Sequence, residues 1–337
     1  MKDVRHPGQK ALFVFLDGVG LAPVGPENPL STVPMPHLQE LLGGPLVSNG
    51  AVAKGATLHS SRPDVVLRAV DACLGVPGLP QSATGQTALF TGINAPALVG
   101  DHITGQPTAR LRQVIAEHSL LKCAAQSGAR VIFANAHSEE FWEVVRTGKR
   151  RLGASTLTAL AADAPIPTMA DLLAGRAVLW DITHEIAVEQ LGRHLPLVSP
   201  EEAGARLARL AGEHDLVLYE TFLPDLAGHR RIEPAWVLPR LDAFLGAILA
   251  QRPPEVTLVV CSDHGNLENT ATRAHTANPV PLLAVGPGAD RFEESTAITD
   301  VAPAILALLE KGPAAEQAED VQAVAAAKHQ TQPVRAF

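Results

Sequence analysis

Cysteine is scarce in this 337-residue chain: Cys73, Cys123 and Cys261 are odd in number, widely spaced and without any Cys-x-x-Cys pair. That argues against a disulfide framework and a thiolate zinc site, and it fits a reducing compartment. Basic charge is also in deficit, with 27 lysines and arginines against 35 acids, so the net charge of −8 repels phosphate backbones and anionic lipid at long range. Nucleic acid and membrane surfaces are therefore not expected as partners. No apolar run approaches the roughly 20 residues that span a bilayer, and Ala11–Leu16 is too short for a signal-peptide core. A cytoplasmic location is expected. No repeat with a period of 20–50 residues is visible.

What the chain does have is core material. Apolar residues make up 46% and charged residues 18%, enough for a sizeable buried interior in one large domain or two ordinary ones. Three short apolar runs read as buried strands, each ending in an acid or in a loop that carries one. Ala11–Leu16 runs into Asp17-Gly18-Val19-Gly20, Leu216–Tyr219 leads to Asp225, and Val256–Cys261 ends at Ser262-Asp263-His264-Gly265. Pro281–Val285 is a fourth strand candidate. Ser199-Pro200-Glu201-Glu202 reads as a capping box opening a helix to about Ala211, a second helix is expected over 234–250, and a third runs from the Thr299-Asp300 cap to Leu309. Strand and helix alternate, so the fold class is α/β, with a mostly parallel central sheet flanked by helices.

The stretch from 105 to 197 breaks the alternation, being mainly helical with one strand candidate, Ala129–Ala134. It reads most simply as a small inserted cap domain over a discontinuous core of 1–104 and 198–312, with extra core elements as the alternative. The alanine- and glutamine-rich tail, 313–337, reads as a peripheral helix or disorder.

In open α/β sheets, residues just past the carboxyl ends of strands gather along one edge, where ligands bind. Asp17, Asp225, Asp263 and His264 all hold such positions, with His229 four residues after Asp225 and His275 shortly after the Asp-His pair. Three carboxylates and three imidazoles packed together need a neutralising cation, and six ligands suffice for two. Oxygen and nitrogen donors without thiolate favour Mn²⁺ or Zn²⁺ over Ca²⁺, while iron and cobalt also suit this ligand chemistry. The Gly75–Gly92 segment is a shaped loop that turns helical near Thr84. A hydroxyl at a helix N-terminus beside a divalent metal is suited to attack on phosphorus, which makes Ser82 the candidate nucleophile and Thr84 the second choice.

Asp17–Gly20, Gln81-Ser82-Ala83-Thr84-Gly85, Pro224–His229, Ser262–Asn266 and His275–Pro281 together resemble the ordered metal and nucleophile motifs of the alkaline phosphatase superfamily. The branch they resemble most holds cofactor-independent phosphoglycerate mutase and phosphopentomutase. The resemblance covers roughly residues 11–105 and 212–310. It implies an alkaline phosphatase-like core that transfers phosphoryl groups through a phosphorylated hydroxyl. It also implies one metal held by Asp225, His229 and His275 and another by Asp17, Asp263, His264 and Ser82.

Two departures are visible. Gly85-Gln86 replaces the Gly-His of the mutases, and the long inserted domain of the phosphoglycerate mutase is missing. The sulfatase branch is a poor fit, because neither Cys73 nor Ser82 is followed by the required proline and arginine. Substrate recognition is expected in the cap, at the basic cluster Arg146, Lys149, Arg150 and Arg151 and at His102. The function expected is therefore phosphomonoesterase or phosphomutase action on a small phosphorylated metabolite. The alternative is a non-catalytic metal-binding member that senses such a metabolite.

Overall fold

The computed structural model describes residues 9–48, 56–58 and 62–310. Among them is a seven-stranded sheet in the order β2 (Ala56–Leu58), β3 (Val65–Val70), β7 (Val280–Val285), β6 (Val256–Cys261), β1 (Lys10–Leu16), β5 (Leu216–Thr221) and β4 (Val131–Phe133). β6, β1, β5 and β4 are parallel, whereas β7 runs against both β6 and β3, and β2 against β3. The sheet is α/β and mostly parallel where the site lies, with an antiparallel flank.

Alternation along β1 explains why it is central. Leu12, Val14 and Leu16 pack into one apolar layer and Ala11, Phe13 and Phe15 into the other, so the strand is buried on both faces. The first layer is covered by helices Pro200–Glu213 and Pro234–Gln251, which approach so closely that a Cβ on Gly204 would strike the Phe244 carbonyl. The second is covered by Ser82–Thr91, Ala109–His118, Leu120–Gln126, Ala154–Ala161 and Val301–Leu309. Only half of the expected capping box before Pro200 forms. Ser199 Oγ accepts from the Glu202 amide at 3.1 Å, but the Glu202 carboxylate is taken by Arg206.

The 105–197 segment, expected as an inserted cap, does not stand apart from the core. Val131–Phe133 is wholly apolar and pairs with Leu216–Leu218 as the edge strand of the central sheet. Helices Ala109–His118 and Ala154–Ala161 pack on Ser82–Thr91, and Leu120–Gln126 packs on Val301–Leu309. Residues from Asn135 onward curl over the carboxyl ends of β4 and β5 and line a cavity there. The 313–337 tail lies outside the described residues. None of the described helices is long and apolar enough to cross a membrane.

Phe90 locks the helix that bears Ser82 to the sheet: it is fully buried, with its ring edge-to-face against Phe15 at 5.3 Å and Phe13 at 6.1 Å. Phe90→Ala is expected to cost about 3–5 kcal/mol of stability, read as a lowered urea midpoint at unchanged m-value.

Candidate metal centre

The three acids meet because their strands are neighbours and parallel. Asp17 follows β1, Asp263 follows β6, and Asp225 lies on the short helix Leu223–Gly228 after β5. Gly18, at φ +76°, turns the chain after Asp17, and a Cβ there would lie 2.8 Å from the Asp225 Cα. Any side chain at position 18 would push the two acids apart.

Asp225, His229 and His275 offer ligand atoms within 4.8 Å of one another, and so do Asp17, Asp225 and His264. Asp225 therefore belongs to both groups. His229 Nε2 is 3.4 Å and His275 Nε2 3.7 Å from the Asp225 carboxylate, while His264 Nε2 is 3.3 Å from Asp17 and 3.5 Å from Asp263. The Nδ1 atoms of His229 and His275 face the carbonyl oxygens of Arg273 and Pro80, each at 2.8 Å. Donation from Nδ1 to those carbonyls leaves each Nε2 lone pair directed at the cluster, the usual way a ligating histidine is braced. The rings of His264 and His275 stack at 3.7 Å.

The electrostatics call for a cation. Burial, together with the neighbouring Asp263, Asp225 and Glu220, holds the Asp17 carboxyl well above its usual range. Burial and Asp225 push Asp263 up to about 8, and burial with the neighbouring imidazoles drives His264 far down, so it stays neutral. Asp17 Oδ1 and Asp263 Oδ2 are buried without a hydrogen-bond partner. Orphaned carboxylate oxygens facing the neutral His264 imidazole are the donor set a divalent metal would satisfy.

Ser82 is the first residue of its helix, with Gln81 as the N-cap residue. Its hydroxyl is therefore not spent on capping and lies 3.2 Å from His264 Nε2. The helix comes this close because residue 85 is glycine: a Cβ there would be 2.8 Å from the Asp263 carbonyl. Thr84 is placed elsewhere. Its Oγ1 donates to the Gln81 carbonyl at 3.2 Å and accepts from the Ile103 amide at 3.1 Å. Gln86, which stands where the mutases have histidine, directs its amide at Asp17 Oδ2, 3.4 Å away.

Of the basic cluster, Arg150 and Arg151 line the cavity beyond β5, with the Arg150 guanidinium 5.0 Å from the Phe141 ring centroid. Arg146 instead pairs with Glu139 in solvent, and Lys149 is exposed away from that cavity. His102 is half-buried against the Val76 carbonyl at 3.2 Å and is outside both ligand groups.

Residues the sequence reading passed over hold the cluster in place. Asn266 Nδ2 donates to Asp225 Oδ1 at 2.8 Å. Glu268 accepts from the amides of Gly20 and Asn266 at 2.9 and 2.8 Å, from Asn278 Nδ2 at 3.0 Å and from the Thr276 hydroxyl, joining three loops. Ser262 Oγ accepts from the Val19 amide at 2.9 Å. Asn266 and Ser262 lie inside a motif already visible, but no motif marks Glu268, and its partner Gly20 is distant in sequence.

Comparison with known proteins agrees with this geometry. Residues 167–311 match the Metalloenzyme superfamily, a span that contains five of the candidate ligands: Asp225, His229, Asp263, His264 and His275. That span is less than half of the chain. The chain is similar to the 2,3-bisphosphoglycerate-independent phosphoglycerate mutase of Syntrophotalea carbinolica, 33% identical over 33% of this chain and 24% of that one. The corresponding mutase of Rhodopseudomonas palustris is 30% identical over 40% of this chain and 26% of its own length. The match thus spans about a quarter of these relatives. The fold is similar to that of the PH0037 protein of Pyrococcus horikoshii, with a TM-score of 0.53 and 13% identity over 91% of this chain and all of the other.

Two outcomes follow from the cluster. In metal-free protein, Asp263 binds a proton in the folded state up to about pH 8, whereas an unfolded aspartate has lost it by about pH 4. Folding then takes up protons, so stability falls as pH rises. Between about pH 6.5 and 8 the depressed His264 no longer opposes this, and the melting temperature without metal is expected to drop. Saturating Mn²⁺ or Zn²⁺ should remove the drop, and a flat metal-free profile would contradict the assignment. Asn266→Ala, which frees Asp225 Oδ1, is expected to weaken metal binding about 10–100-fold by isothermal titration.

Proposed function

We propose that this protein transfers phosphoryl groups from a small phosphate monoester, with Ser82 as nucleophile and two divalent cations, Mn²⁺ or Zn²⁺, as cofactors. The observation that carries the reading is the Ser82 hydroxyl, uncommitted to capping, at 3.2 Å from His264 Nε2 beside two overlapping ligand groups. Asp225, His229 and His275 would hold one cation. Asp17, Asp263, His264 and the Ser82 oxygen would hold the other, with Asp225 lying between the two. Bound there, the cations would offset the charge of the phosphoryl oxygens and lower the pKa of the serine hydroxyl.

Ser82 Oγ attacks phosphorus as the bond from phosphorus to the alcohol oxygen breaks, which leaves a phosphoserine and the free alcohol. The first-turn amides add little to phosphate binding, since those of Ala83 and Thr84 both donate to the Ile103 carbonyl, at 3.1 and 3.4 Å. Gln86 holds Asp17 rather than substrate. Water arriving at the phosphoserine completes a phosphatase cycle, and return of the phosphoryl group to another hydroxyl of the same alcohol completes a mutase cycle. The relatives named as phosphoglycerate mutases lend weight to the second outcome.

Enzyme reconstituted with Mn²⁺ or Zn²⁺ and given benzyl phosphate and a panel of sugar phosphates is expected to release phosphate or to isomerise the ester. Ser82→Ala should lower turnover at least about 1,000-fold while retaining tight metal binding. Absence of turnover with every metal, with binding retained, would support a metabolite sensor instead.

A further inference from the structure

Beside the metal cluster lies a cavity of about 490 Å³ whose walls come from residues 135–195 and from the end of β5. The two are adjacent by construction. Ala11, Phe13 and Phe15 of β1 and Leu216 and Leu218 of β5 pack into the same apolar layer, and Phe15 pairs with Glu220. Asp17 and Glu220 continue those alternations at the carboxyl edge, on the side covered by the Ser82 helix. Glu220 raises the pKa of Asp17, and Leu226, which lines the cavity, is the chain neighbour of Asp225.

Glu220 is the unusual member of that lining. Only 5% of it is exposed, and its Oε2 has no hydrogen-bond partner. Its backbone is clamped, because the Asn135 side chain accepts from its N–H at 2.9 Å and donates to its carbonyl at 2.8 Å. Burial, only partly offset by Ser155, pushes its carboxyl up to about 7. A buried acid held rigidly in a cavity lining, with one carboxylate oxygen unpartnered, is costly for stability alone.

The remaining wall is mixed, with an apolar part beside Arg150, Arg151, Arg193 and His137. Trp180 and Phe222 meet at 5.9 Å between ring centroids, and Leu179, Leu195 and Leu226 adjoin them. The turn that follows Trp180 is strained: Ile182 and His184 are buried at φ +64° and +67°, a backbone region a β-branched side chain rarely adopts. Strain of this kind persists where surrounding contacts hold a ligand wall in shape.

From this arrangement we infer that the cavity receives the alcohol portion of the phosphate ester, and that Glu220 selects an alcohol that carries a hydrogen-bond donor, a hydroxyl or an ammonium group. The inference builds on the phosphoryl-transfer reading and adds the substrate class. A donor facing Glu220 Oε2 pairs a group that is otherwise orphaned, whereas an ester without the donor leaves it unpaired. That asymmetry makes a hydrogen-bonding site discriminate more strongly than an apolar one.

The test uses benzyl phosphate, 3-hydroxybenzyl phosphate and 3-(aminomethyl)benzyl phosphate on the metal-loaded full chain. Two quantities are read: kcat/KM of the wild type, and calorimetric binding to the Ser82→Ala protein, which needs no turnover. At least one donor-bearing ester is expected to be preferred over benzyl phosphate by about 10–100-fold in both, the worth of a hydrogen bond to a charged or buried acid. Glu220→Leu should bring that preference close to one. Glu220→Gln should keep any preference for the hydroxyl and lose any for the amine, which separates the two donors and serves as the second variant if the leucine protein does not fold.

A preference that survives both substitutions, or its absence in the wild type, overturns the inference and leaves phosphoryl transfer standing. Glu220-dependent binding preference without turnover of any ester overturns phosphoryl transfer and leaves the selection standing.

Discussion

Three aspartates held within one buried cluster repel one another, and the layout of the protein follows from containing that repulsion. β6, β1 and β5 run parallel as neighbours, so their carboxyl ends bring Asp263, Asp17 and the helix bearing Asp225 to one edge. Without a counter-charge Asp17 and Asp263 hold protons well above their usual range, and His264 beside them stays neutral. The same features that make the empty cluster unfavourable make it receptive to divalent cations.

The supporting structure is directed at orientation more than at charge. Glu268 joins the loops after β1 and β6 to the turn at Thr276–Asn278, and Asn266 fixes the Asp225 carboxylate. Carbonyls of Arg273 and Pro80 brace two imidazoles from behind. The serine helix is drawn in by Phe90 packing on one side and by the bare Gly85 backbone on the other. Each contact restricts a ligand atom or the candidate nucleophile to a direction, which is what aligned attack on phosphorus requires.

Much of this was legible in the sequence because the chemistry follows strands. Ala11–Leu16, Leu216–Tyr219 and Val256–Cys261 advertise themselves as apolar runs, and the acids just beyond them are the ones that converge. What escaped was non-local. β3 was overlooked because Arg68 interrupts its apolar run; its guanidinium reaches the Ser295 carbonyl at 3.1 Å. The orientation of β7 depends on pairing with β3, which no local pattern encodes. Val131–Phe133 was legible as a strand but not as the edge of the main sheet, so a core element was assigned to a separate cap. Glu220 was passed over in the link from Leu216–Tyr219 to Asp225, and its place on a cavity wall depends on residues between 135 and 195.

The central position of β1 has a further consequence for how the chain reaches its native state. Its seven residues lie near the start of the sequence, yet both hydrogen-bonded neighbours, β5 and β6, come more than 200 residues later. Closing loops of that length costs entropy before any pairing repays it, so contacts of this separation form slowly. Asp17 thus meets His264 only after nearly the whole described chain has been organised. The edge that carries the candidate ligands is a late product of folding, and a cation bound there would tie together segments far apart in the chain.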